Sequence, residues 1–183
     1  GVVTTINPLY TVEELTRQLD DTEATYLLTV PPFADRAAEA ADATAVEEVF
    51  VLGESEIGTP FPVLFDTETD PPDVVVEPDD IAVLPYSSGT TGLPKGVELT
   101  HRNLVANLCQ MSGVEPPEFD ADDVSIGVLP FYHIYGMNVV MNFHIREGVT
   151  VVTVPKFELE PFLEMLQEHG VTVAYLVPPI VRT

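Results

Sequence analysis

The sequence predicts an α/β fold, a mostly parallel β-sheet with helices on both faces. Three observations carry this prediction. Short β-branched runs alternate with stretches of helical periodicity along the chain. Glycine or proline punctuates most of the junctions between them. One apolar run leads directly into a loop rich in Gly, Ser and Thr, as expected where a strand of such a sheet delivers a binding loop.

In chain order, apolar Val2 and Val3 precede a turn at Asn7-Pro8, and Thr11 with Glu14 forms a capping box for a helix reaching about Asp20. Residues 24–30 read as a strand ended by Pro31-Pro32, the alanine-rich residues 33–43 as a helix, and 46–52 as a further strand. Residues 53–80, rich in Gly, Pro, Asp and Thr, read as a long acidic surface connection. A buried strand at 81–85 then leads into the loop at 86–96, and residues 97–99 are extended again. Thr100 caps a helix to about Met111, with Leu104, Leu108 and Met111 spaced for one buried face. Residues 114–123 read as loop. A strand at 124–130 ends at Pro130, and a helix opens in the following residues and runs to about Arg146, closed by Gly148. A strand at 149–154, a helix from Leu159 to His169 closed by Gly170, and a last strand at 171–177 complete the alternation.

The composition limits the function classes. Thirty acidic residues against seven Lys and Arg give a net charge of −23, which argues against nucleic-acid and anionic-membrane partners. The acids are spread along a chain that is 45% hydrophobic, so a disordered acidic tail does not fit. Such a surface suits a salt-rich cytoplasm. No apolar run of 18 residues and no signal-like start occurs, so a cytoplasmic location is expected. The single cysteine, Cys109, precludes an internal disulfide and a cysteine-based zinc site, and within an apolar helical run it is expected to be buried. Only two lysines occur, Lys95 and Lys156. With generic surface lysines absent, each is read as meeting a local requirement.

The loop itself, Tyr86-Ser87-Ser88-Gly89-Thr90-Thr91-Gly92-Leu93-Pro94-Lys95-Gly96, reads as a polyphosphate cradle. Its glycines let the backbone approach an anion, its hydroxyls donate, and Lys95 supplies charge. It is not the G-x-x-x-x-G-K-[ST] P-loop, because Pro94 precedes the lysine and Gly96 stands where the magnesium-binding hydroxyl would be.

With Pro94-Lys95-Gly96 in register, this stretch closely resembles the signature of the adenylate-forming enzymes, the superfamily of acyl-CoA synthetases, luciferases and peptide-synthetase adenylation domains. The resemblance implies that Ser87, Ser88, Gly89, Thr90, Thr91 and Lys95 handle the β- and γ-phosphates of ATP. Residues 129–139 carry a second part of it. In isolation, His133 and Tyr135 would be ordinary core or rim residues. Leu129-Pro130-Phe131-Tyr132-His133-Ile134-Tyr135, however, resembles the acyl-pocket segment of the 4-coumarate:CoA ligases. That implies a catalytic position for His133 beside Lys95, and substrate contacts from His133, Tyr135, Asn138 and Val139. Tyr132 and Val139 depart from the plant pattern, where a phenylalanine and a small hydroxyl residue stand, so hydroxycinnamic, other aryl and medium-chain acids remain open. Lys156 before Phe157 resembles the ligases' Lys-Phe pair, whose lysine contacts coenzyme A.

The activity implied is ATP-dependent activation of a carboxylic acid as acyl-adenylate, then transfer to coenzyme A, with ATP, Mg²⁺ and coenzyme A as cofactors. The motifs for adenine, ribose, magnesium and the C-terminal lysine are not among these residues. The chain is therefore read as residues 1–183 of a large N-terminal domain, without the C-terminal domain, and as inactive alone. A stand-alone nucleotide-binding module and an acidic interaction domain are the alternatives from other classes.

The charge yields an expectation for stability. At about 1 M salt the Debye length falls to about 3 Å and self-repulsion is screened. Thermal melts should therefore rise between about 0.1 M and 2 M KCl, and an unchanged or lower melting temperature would remove the salt-adaptation reading.

Overall fold

The computed structural model describes residues 1–65, 70, 72–87, 94–113 and 120–182. It divides into two compact units, one of Gly1–Glu77 with Tyr86–Val97 and the other of Pro78–Pro85 with Glu98–Thr183.

The first unit begins with β1 (Val3–Thr5), α1 (Val12–Asp21), β2 (Tyr26–Thr29), α2 (Ala34–Asp42) and β3 (Glu48–Val51). The capping box at the start of α1 forms as the sequence predicts. The Thr11 hydroxyl accepts from the Glu14 N–H, and the Glu14 carboxylate accepts from the Thr11 N–H at 2.8 Å. These contacts hold the Glu14 carboxyl below its ordinary value, with the backbone hydrogen bond the largest cause. Leu15 and Leu19 of α1 pack with Leu27 of β2 and with Ala37 and Ala40 of α2. Alanine at these positions lets the backbones approach closely.

β2 and β3 run parallel, Tyr26 opposite Glu48 through Thr29 opposite Val51. The expected surface connection after β3 is not all connection. β4 (Thr59–Pro60) adds a third parallel strand beside β3, and a 3₁₀ turn covers Phe61–Phe65. Gly58 makes this possible, because it takes φ of 73° and lies so near the Val49 carbonyl that a Cβ would fall 2.7 Å from that oxygen. The unit closes with the end of β5 (Ile81–Ser87) and with β6 (Lys95–Gly96).

The second unit contains the start of β5, then β7 (Leu99–Thr100), α3 (His101–Ser112), β8 (Val124–Gly127), a π-helical segment Tyr135–Asn142, α4 (Phe143–Glu147), β9 (Thr150–Thr153), α5 (Leu159–Glu168), β10 (Val173–Ala174) and the single turn α6 (Pro178–Val181). β10, β8 and β9 form a parallel sheet in that order, Val173 opposite Ser125 and Val124 opposite Thr150. The sheet through β5 is mixed, because β6 and β7 both pair with it antiparallel. The predicted parallel sheet therefore holds for the two three-stranded sheets, while a short return of the chain imposes antiparallel pairing on β5.

Thr100 caps α3 as expected, with Asn103 completing the capping box. The Arg102 guanidinium binds both Asp79 oxygens, at 2.6 and 3.0 Å, and fixes the helix start beside the chain entering β5. The expected burial of Cys109 is not met. The thiol is exposed, because only Leu104, Leu108, Met111 and Ser112 of α3 are even half-buried. Gly148 ends α4 in the left-handed region at φ 79°. The predicted strand at 171–177 is reduced to two residues, because Thr172 turns its hydroxyl to Asp123 and the chain enters α6 at Val177.

His144 is fully buried in α4, with Nδ1 against the Val140 carbonyl, and burial is the main cause that lowers its pKa below the ordinary imidazole value. The unfolded chain then binds more protons than the folded one near pH 6.5. Stability is full above that pH and falls as the pH drops through it. Replacing His144 by Asn should flatten the change in unfolding free energy between about pH 7.5 and 5.5, as read by urea titration. An identical slope in both proteins would contradict the assignment.

Candidate functional site

The candidate residues fall in two groups, one in each unit. In the first, β5 and β6 close the phosphate loop as a hairpin, with Ser87 opposite Lys95 and Tyr86 opposite Gly96. Ser88, Gly89, Thr90 and Thr91 lie outside the described residues. The structure thus brings together the first hydroxyl and the lysine of the motif, although seven residues separate them in sequence. Both are exposed, and Lys95 makes no ion pair among the described residues. A hydroxyl donor opposite an ammonium fits the oxygens of a polyphosphate.

The hairpin is held from the side by Tyr86. Its hydroxyl donates to the Asp21 carboxylate at the end of α1, and its ring lies so close to Gly96 that a Cβ there would meet it at 3.2 Å. Burial, and then the hydrogen bond to Asp21, push the tyrosine pKa well above its ordinary value. A side chain at Gly96 would therefore press on the Tyr86 ring. Sequence reasoning missed the Tyr86–Asp21 contact, since no local pattern links the two positions.

In the second unit, β8 ends under the ring of Phe131, which occupies the space a side chain on Gly127 would take. The chain then turns tightly. The His133 N–H donates to the Pro130 carbonyl at 3.1 Å, and the Met137 N–H to the His133 carbonyl at 2.9 Å. The Tyr135 N–H donates to His133 Nδ1 at 3.2 Å. That bond makes Nδ1 an acceptor, so the proton of the neutral ring sits on Nε2, and the exposed imidazole can offer a donor to a carboxylate or phosphate oxygen.

Tyr135 is half-buried, its ring edge-on to Tyr175 with centroids 6.2 Å apart, and Tyr175 in turn packs on His144 at 5.4 Å. Tyr175, which follows β10, is a ring partner of Tyr135 that the sequence did not reveal. Asn138 and Val139 follow in the π-helical segment, the first buried and the second half-buried. The π geometry shows in the Phe143 N–H, which donates to the Asn138 carbonyl five residues back. A plain helix was expected here.

Lys156 follows β9. It is exposed and pairs with Glu158 at 2.9 Å, a hydrogen bond that raises the lysine pKa and lowers that of the glutamate. Such an exposed pair contributes little to stability. Among the described residues, no group of three His, Cys, Asp or Glu side chains could hold a metal ion, and no helix is long and apolar enough to cross a membrane.

One unit thus holds a strand that ends in a hydroxyl- and lysine-bearing hairpin, and the other a strand that ends in a His-x-Tyr turn. The chain belongs to the AMP-binding enzyme family, whose model matches residues 1–183. It is 37% identical to 4-coumarate–CoA ligase 1 of Petroselinum crispum and 40% identical to 4-coumarate–CoA ligase 3 of Oryza sativa subsp. japonica, with 99% of this chain covered in each case. The chain spans about a third of the length of these relatives, 34% and 33%.

Among solved structures, the long-chain-fatty-acid-CoA ligase of Archaeoglobus fulgidus matches with a TM-score of 0.86 at 33% identity, over 99% of this chain and 36% of that one. ATP-bound MatB from Rhodopseudomonas palustris matches with a TM-score of 0.80 at 31% identity, over 98% and 35%.

Proposed function

We propose that this chain forms part of an ATP-dependent carboxylate–CoA ligase of the 4-coumarate:CoA ligase type, within the large N-terminal domain of that enzyme. The observation that carries the reading is the hairpin that sets Ser87 opposite Lys95 at the two ends of the Ser-Ser-Gly-Thr-Thr-Gly-Leu-Pro-Lys-Gly loop. The similarity to two 4-coumarate–CoA ligases over nearly the whole chain supports it.

In the reaction proposed, a carboxylate oxygen of the acid attacks the α-phosphorus of ATP. The bond to the bridging oxygen breaks, and pyrophosphate leaves with the electron pair. The thiol of coenzyme A then attacks the acyl carbon, loses its proton, and AMP departs. Lys95, with Ser87, Ser88, Gly89, Thr90 and Thr91, is assigned to the β- and γ-phosphates, where a fixed ammonium favours the charge gathering on the leaving group. His133, through Nε2–H, is assigned to the reacting carboxylate, and Tyr135, Asn138 and Val139 to the walls around the acyl chain. Lys156 is assigned to coenzyme A, and its pairing with Glu158 means that this contact exchanges one anion for another. Magnesium accompanies ATP in such chemistry, but the described residues supply no cluster for it, and no step here depends on it. The charge of −23 supports a salt-rich cytoplasm as the setting.

A second acid class has its own support. The similarity to a long-chain-fatty-acid-CoA ligase at 33% identity, and Val139 in the proposed pocket, favour an alkyl acid as strongly as an aryl one.

The two half-reactions separate the roles. In the complete enzyme, Lys95→Ala should slow acid-dependent exchange of labelled pyrophosphate into ATP by about 10²-fold or more. Lys156→Ala should leave that exchange near normal and raise the KM for coenzyme A. Residues 1–183 alone should show no exchange. Equal loss of exchange in both variants, with an unchanged KM for coenzyme A, would refute the division of roles.

A further inference from the structure

The acyl-pocket segment is tied to α3 by a chain of three amides. The Asn142 side-chain NH₂ donates to Asn138 Oδ1 at 3.2 Å, and the Asn138 NH₂ donates to Asn107 Oδ1 at 2.8 Å. Asn138 is 3% exposed, whereas Asn107 lies on the exposed face of α3. The direction of donation matters. Asn138 sits inside the π-helical segment and its carbonyl receives the i−5 bond from the Phe143 N–H, so its backbone and side chain are anchored at the same place. A π turn is less favourable than an α turn unless something holds it, and such turns recur at functional sites. Here the holding group comes from another helix, 31 residues away in sequence.

We infer that Asn107 is a positioning residue for the acyl pocket: its carbonyl oxygen fixes the amide of Asn138, and through it the π turn that places Tyr135 and Val139 against the acid. Of the two Asn138 amide protons, one is committed to Asn107. Removing that acceptor leaves a buried donor without its partner, which favours a turn in which the Asn138 side chain rotates or the segment relaxes to α geometry. The inference rests on the ligase reading for the identity of the ligand but not for the contact itself. Were Asn107 only a solvated helix residue, its replacement would leave the turn unchanged.

The test uses two variants of the complete enzyme. Asn107→Ala removes the acceptor at an exposed helical position where alanine favours the helix, so the fold is retained. Asn107→Asp keeps an oxygen acceptor in the same place. Amide hydrogen exchange at Phe143 should become about tenfold faster in Asn107→Ala and stay near the wild-type rate in Asn107→Asp. The ranking of a bulky aryl against a straight-chain acid by kcat/KM should shift in Asn107→Ala and be restored by Asn107→Asp. Unchanged exchange at Phe143 in Asn107→Ala overturns the inference, and so does faster exchange with an unchanged acid ranking. Absence of any acid-dependent activity in the unaltered enzyme would count against the ligase reading alone, since the exchange measurement judges the contact without it.

Discussion

The second unit depends on a near-contact that admits only glycine. A Cβ on Gly136 would fall 2.2 Å from the Pro130 carbonyl oxygen and 2.9 Å from that of Leu129, closer than any side chain tolerates. Because that space is empty, the chain leaving β8 doubles back on itself within a few residues. His133 reaches the Pro130 carbonyl, Met137 reaches the His133 carbonyl, and the helical run starts with its first turn pressed against the strand end. The imidazole, the tyrosine ring and the buried Asn138 are then set one after another by a single backbone path. No positive φ is involved at Gly136, so the requirement is one of volume and not of backbone conformation.

Much of this was legible in the sequence because the signals are local. The capping box at Thr11, the helix cap at Thr100 and the stop at Gly148 each follow from a few neighbouring residues, and each is present in the structure. What stayed hidden is non-local. β4 contains Pro60 and only two residues, so nothing in its own sequence marks it as a strand, and its pairing is decided by Phe50 and Val51 of β3. The π segment differs from an α-helix by one residue in its hydrogen-bond spacing, which apolar periodicity over eight positions does not resolve. Cys109 lies in an apolar run whose buried face is narrower than its composition suggests. The contacts Tyr86 with Asp21 in the first unit, and Asn107 with Asn138 and Tyr135 with Tyr175 in the second, join positions far apart in the chain.

The acidic surface behaves as two populations. The carboxyls held below their ordinary values, Glu14, Asp79, Asp123 and Glu158, each have a specific partner in Thr11, Arg102, Thr172 or Lys156. Each of these contacts ties down a helix start, a strand end or a loop. Glu13 and Glu147 pair with Arg17 and Arg146, and salt screens the repulsion within the wider excess of negative charge. Against that background the two lysines differ in kind: one is engaged by a neighbouring glutamate, and the other stands beside Ser87 with no ion pair among the described residues.

Replacing Tyr135 tests most directly the proposed role of the turn after β8 in reading the acid. In the complete enzyme, Tyr135→Ala should change the ranking of hydroxycinnamic, benzoic and medium-chain acids by kcat/KM and favour the bulkier ones. The expected change is about tenfold or more, the discrimination a pocket exerts for each methylene-sized alteration. A uniform fall in rate for all acids, with the ranking intact, would mean that Tyr135 supports the fold through Tyr175 and does not face the substrate.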